Sequence, residues 1–312
     1  MDGVERQRYL GWALVALSAV AWSTAGYFTR LVSEDVWTIL FWRGVFSGIA
    51  IAIVTIVKYR DRALRAYAGL GKPGVLVALA SATGMIAFIG SLKLTTVADV
   101  YVIYATVPFI TAGIAWVALG ERASPGLLLA SGVALTGVVV TLTGARFGGS
   151  LLGQLVAFIM TISMALMTVI VRRHRDIALF PALGLSAWMA ALASFWFCSP
   201  FNISAFDLAM LALFGASQSA LGLTLFSFGS RMVPAAEATL LTALDVPLAP
   251  LWVWLAFSEV PSFYTLLGGA FVLAAVFGHV TYEMRRIRPP ESSAAAGASL
   301  RVVHESPERV RR

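Results

Sequence analysis

The sequence predicts an all-α membrane protein of ten transmembrane helices, built as two inverted five-helix repeats with both termini in the cytoplasm. Three observations carry this. Only 12% of the 312 residues are charged, about half the share usual in soluble domains, and the mean hydropathy is +0.84. Apolar runs of about 20 residues, enough to span ~30 Å of hydrocarbon as helix, recur along the chain. Basic residues crowd alternate loops, the pattern of a polytopic protein obeying the positive-inside rule.

The ten expected spans are 10–29, 36–57, 74–92, 96–119, 124–143, 151–171, 178–198, 207–229, 235–257 and 262–283. The first begins near Leu10 without a convincing cleavage site, so it reads as a span and not a signal peptide. The connections are short and leave no room for a soluble domain. One side carries 19 of the 23 Lys and Arg residues and the other carries Arg30, Lys93 and Arg146, with Arg43 inside a span. That bias places both termini inside and accounts for the net charge of +7 as topology, so no nucleic-acid partner is expected. A lone Cys198 excludes a disulfide framework and a Cys-based metal site. Residues 285–312, rich in Arg, Ser, Ala and Pro, read as a disordered basic cytoplasmic tail.

The halves repeat at an offset of 138 residues: Ser81 meets Ser219, Gly84 meets Gly222, Phe88 meets Phe226, Asp99 meets Glu237 and Glu121 meets Glu259. Pro108 and Pro247 fall within one residue of each other. The first repeat is taken as 1–146 and the second as 147–284. Five spans per half force the second repeat to enter from the opposite side. Such repeats are the plan of many secondary transporters, with the substrate near the midplane where they meet.

Asp245 is the sharpest site residue, an acid near the middle of the ninth span. One reading makes it a cavity carboxylate that attracts an amine or takes up a proton. The other makes it a structural acid bonded to backbone loosened by Pro247. An acid at a helix centre costs ~2.5–3.5 kcal/mol on insertion scales, which a passive residue would have to offset. Ala238, Thr242, Asp245, Ala249 and Trp252 share one helical face, with Tyr104 in the first repeat matching Thr242. Small residues on that face would equally serve close helix packing. Arg43, roughly 10 Å into its span, either clamps a carboxylate or snorkels outward to Glu34 or Asp35.

Trp22, Phe88, Tyr101, Tyr104, Phe226 and Trp252 are the aromatics that could line a cavity. Gly84, Pro108, Gly222 and Pro247 are expected to absorb bending. Asp99 and Glu237 read as acids at helix N-termini, or as gates paired with Lys93 and Arg231. Glu121 and Glu259 are expected in loops, capping a helix or pairing with a base. No HExxH helix or P-loop is present, and the three His residues are scattered. No cofactor, metal, ATPase subunit or enzymatic activity is therefore expected. An intramembrane enzyme would need a convergent catalytic set, and a channel a continuous polar face along several spans.

One set of motifs is Trp22-Ser23-Thr24, Phe41-Trp42-Arg43-Gly44, and Pro108, Trp116 and Leu119-Gly120-Glu121-Arg122 followed by Gly132 and Gly137. It returns as Pro247, Trp254, Glu259, Gly268 and Gly269. In these residues the sequence resembles the EamA-type transporters of the drug/metabolite transporter superfamily, with Ser258 where the family has Gly. The resemblance implies ten helices around a central cavity and export of small metabolites, often amino acids. The expectation is an inner (plasma) membrane carrier, a monomer, working by alternating access. Cationic or aromatic drugs and metabolites are the alternative cargo.

Overall fold

The computed structural model describes residues 3–120, 125–143, 150–233, 238 and 241–287. Glu121, Arg122, Arg146, Glu237 and most of the expected tail lie outside the described residues. Among the described residues there are helices and no strand. In the first half these are α1 (Gly3–Ser23), α2 (Ala25–Leu31), α3 (Val36–Tyr59), α4 (Ala63–Ala68), α5 (Gly71–Leu94), α6 (Val97–Tyr104), α7 (Val107–Leu119) and α8 (Pro125–Thr143). In the second half they are α9 (Leu151–Arg173), α10 (Leu179–Phe195), α11 (Ala205–Gly215), a π-helical segment (Ala216–Gly222), α12 (Leu223–Gly229), α13 (Asp245–Phe257) and α14 (Phe263–Ile287).

Eight segments of the described chain are long and apolar enough to cross a membrane. The expected spans 178–198 and 235–257 appear as the shorter apolar helices Leu179–Phe195 and Asp245–Phe257. The second begins at Asp245, after a turn at Ala243–Leu244, and most of 234–240 lies outside the described residues.

Packing follows the duplication. At the 138-residue offset α3 falls on α10, α8 on α14 and α7 on α13. The equivalent helices lie against each other, α3 along α10 and α8 along α14. The packing of α5 on α9 has its counterpart in α1 against α12 and the π segment. Small residues let these backbones approach, as expected where lipid supplies no hydrophobic drive. A Cβ on Gly137 would sit 2.6 Å from the Gly268 carbonyl oxygen, and one on Gly268 would strike the Gly137 carbonyl. The outward faces stay apolar, with Leu129, Val139, Leu192 and Leu255 all exposed, a surface suited to hydrocarbon and not to water.

Both repeats break one span in the same place. Helix α6 stops at Tyr104 and α7 restarts at Val107, while the second copy turns at Ala243–Leu244 and restarts at Asp245. Proline cannot donate the interior helix bond and crowds the carbonyl four residues back. A fresh start removes the conflict, because N–H groups of the first turn have no intrahelical partner. Pro108 becomes the second residue of α7, and Pro247 the third of α13. Each of these helices ends in a left-handed residue, Gly120 (φ 69°) and Ser258 (φ 57°).

Candidate functional site

The breaks converge on one cavity of about 400 Å³, within the range of small-molecule sites. Its wall includes Trp22, Arg43, Phe88, Tyr101, Tyr104, Phe226 and Asp245, all singled out from sequence. It also includes Gln218, Ser81, Ser186, Ser219 and the methionines Met85, Met160, Met164 and Met167. Beyond the first, third, fourth, sixth, eighth and ninth spans, α3 and α10 contribute wall through Arg43, Ile51, Leu179 and Leu183.

Thr242 and Trp252 do not line the cavity. The turn at Ala243–Leu244 takes Thr242 out of register with Asp245, while Trp252 shares α13 with Asp245 but lies two turns, about 10 Å, further along it. Thr242 instead donates to the Ala238 carbonyl at 2.7 Å. Trp252 donates its Nε1–H to the Ser23 hydroxyl at 2.8 Å, tying α13 to the break in the first span.

That break lies at Thr24, between α1 and α2. The Trp22 carbonyl there accepts from the Tyr101 hydroxyl at 3.1 Å and from the Gln218 amide at 2.8 Å. Side chains thus satisfy backbone freed inside the apolar layer. The Trp22 indole donates back to the Gln218 carbonyl at 3.0 Å. Rings complete the wall, with Trp22 against Phe226 at 5.5 Å and Tyr101 between Phe88 at 6.1 Å and Tyr104 at 6.3 Å. Gly84 leaves room for Met164, whose methyl a Cβ would strike, and Gly222 closes the π segment under the Trp22 indole.

The two charges on the wall have unusual surroundings. Asp245 is 5% exposed and is the first residue of α13. The helix N-terminus there favours its negative charge. No basic residue pairs with it among the described residues. Arg43 is 6% exposed. It neither snorkels nor meets Glu34 or Asp35. One Nη contacts the Met85 sulfur, the other donates to the Gln218 amide oxygen at 3.2 Å, and the guanidinium lies 4.6 Å from the centre of the Phe214 ring. Its Nε–H has no partner among the described residues. Tyr101 is within electrostatic reach of both charges.

At the far end from Leu179 and Met167 the helices are tied by polar contacts. Arg30 pairs with Glu259 at 2.8 Å and donates to the Leu92 and Thr95 carbonyls at 2.5 and 2.9 Å. Glu259 also accepts from the N–H of Val97, so it both pairs with a base and caps a helix. Asp99 accepts from Thr95, Gln154 and Thr265, not from Lys93, whose ammonium donates to the Val32 carbonyl. Among the described residues no group of three His, Cys, Asp or Glu is placed to hold a metal ion.

Gln218 was not singled out from sequence, although an amide inside an apolar run is itself a signal. The π segment that aims it had none.

The family model described as the EamA-like transporter family matches the chain twice, over residues 9–143 and 151–281. Among curated proteins none matches. A solved structure titled only as a crystal structure of a protein aligns with a TM-score of 0.61 at 19% identity. It covers 89% of this chain and 99% of its own, a likeness of fold alone.

Proposed function

This chain belongs to the EamA-like transporter family, and from that premise we propose that it is a secondary transporter exporting small zwitterionic metabolites, amino acids first among them. One observation carries the substrate class: Arg43 and Asp245, both buried, face one cavity and neither is neutralised by a charged partner among the described residues. An unpaired ion in a low-dielectric interior costs several kcal/mol. A ligand carboxylate at Arg43 and a ligand ammonium at Asp245 would offset both costs at once. The ring and methionine wall suits an apolar side chain.

Transport would run by alternating access, with the repeats rocking about the cavity and bending at the breaks beside Pro108 and Pro247 and at Gly84 and Gly222. The charge bias between loops supports ten spans, an inner-membrane location and cytoplasmic termini. A monomer suffices, since the cavity is built from this chain's own helices. The second reading is export of aromatic cations, favoured by Asp245 beside Trp22, Tyr101, Tyr104 and Phe226.

Proteoliposomes loaded with labelled amino acids or with organic cations separate the two. Amino-acid efflux that falls at least tenfold in Asp245→Asn is expected. Flux of organic cations with none of any amino acid sinks the leading reading. A variant that keeps its rate and pH profile removes Asp245 from the mechanism.

A further inference from the structure

Resting on that reading, we propose that Gln218 is the positioning residue that makes the cavity select for a carboxylate, by holding Arg43 in place without neutralising it. A buried guanidinium is normally fixed by an acid, which matches its fork but consumes its charge. Here the fixing group is an amide. Gln218 is 6% exposed, and its oxygen accepts from an Arg43 Nη at 3.2 Å. Its nitrogen is anchored in turn on the Trp22 carbonyl at 2.8 Å and on the Ala21 carbonyl at 3.4 Å. Both ends of the amide are therefore used, which fixes which end faces Arg43.

The local backbone is shaped for this. Gln218 sits within the π-helical Ala216–Gly222. Such turns are rare and recur at functional sites because the extra residue re-aims a side chain. Its carbonyl takes the Trp22 indole at 3.0 Å, so the turn is locked to the break in the first span. The other neighbours of Arg43, the Met85 sulfur and the Phe214 ring, are neutral too. The unpartnered Nε–H leaves donor capacity for an incoming anion.

If neutrality at 218 is what counts, an acid there should satisfy Arg43 internally and turn away the ligand's carboxylate. The purified full-length protein is titrated with a matched pair, L-phenylalanine and phenethylamine, which differ by the carboxylate alone. The wild type is expected to bind the amino acid more tightly. Gln218→Glu is expected to lose about ten- to a hundredfold for phenylalanine, the scale of one charge-assisted hydrogen-bonded contact, while phenethylamine binds at least as well as before. Gln218→Met, which removes the tether and adds no charge, should weaken phenylalanine severalfold and leave phenethylamine unchanged.

A Gln218→Glu protein with the wild-type ratio of affinities overturns the assignment. So does a Gln218→Met protein that loses both ligands equally, the mark of a merely structural role. A wild type that binds phenethylamine and not phenylalanine defeats the zwitterion reading itself, before any variant is compared.

Discussion

Arg30 and Glu259 give the sharpest test of how the far end of the bundle is held. Each side chain is 23% exposed. The guanidinium makes three bonds, to Glu259 at 2.8 Å and to the Leu92 and Thr95 carbonyls at 2.5 and 2.9 Å. Those carbonyls belong to the C-terminal end of α5, where helix oxygens lack intrahelical donors. At a net ~1 kcal/mol per hydrogen bond, Arg30→Met should cost about 3 kcal/mol. Glu259→Met loses the pair and the cap on Val97, about 2 kcal/mol by the same scale. Partial exposure limits the coupling of the pair to about 0.5–1 kcal/mol. The measurement is a double-mutant cycle by reversible unfolding in mixed micelles. Zero coupling, or a Glu259 variant less stable than the Arg30 variant, would refute the idea that Arg30 is the hub.

Three further outcomes are expected. Asp99→Asn should destabilise by about 1–3 kcal/mol, because one accepting oxygen becomes a donor facing Thr95, Gln154 or Thr265; the same unfolding assay checks it, and Gln154→Leu should add less to that variant than to wild type. Ser258→Gly should raise stability by up to about 1 kcal/mol, since Ser258 occupies the left-handed region at φ 57°; an unchanged midpoint counts against strain there. Asp35→Ala should cost about 1 kcal/mol as a lost N-cap, its carboxylate accepting from the Trp37 and Thr38 N–H groups at 2.8 and 3.2 Å. Desolvation alone would raise the Asp35 pKa, but the Thr38 hydroxyl and those N–H bonds outweigh it and hold it below the usual value. The contribution of Asp35 is therefore complete above the unfolded carboxylate pKa and lost as pH falls through the lower folded one, so variant and wild type should converge in acid.

Periodicity made the helices legible because hydrocarbon imposes them: a spanning segment must satisfy its own backbone. The prolines announced a disturbance but not its form. Pro247 is compatible with a kink or with a new start, and only the turn at Ala243–Leu244 decides which. That decision takes Thr242 out of register with Asp245, while Trp252 keeps the face of Asp245 on α13 but sits two turns further along, where it meets Ser23. Gln218 shows the opposite failure. Its polarity was visible, while its aim depends on a π turn and a broken neighbour far away in sequence. Local pattern specifies the element; the direction of a side chain at an irregularity is set by contacts of long sequence separation.

The same physics accounts for where the duplicated halves stopped being alike. The first repeat opens its second half-helix on Val107, the second opens it on Asp245. A half-helix N-terminus is one of the few seats inside a bilayer where a carboxylate can be held by backbone donors and dipole, with no basic side chain. Arg43 is held in the complementary way, by an amide, a thioether and a ring. In each case the charge is positioned by neutral groups, which fix the geometry and leave the field uncancelled. Had Asp245 and Arg43 been placed to pair with each other, the cavity would be more stable empty and would give up that attraction for a ligand. On the zwitterion reading proposed above, holding them apart, each on its own neutral support, would leave a cavity whose polarity is completed when a molecule of both charges enters.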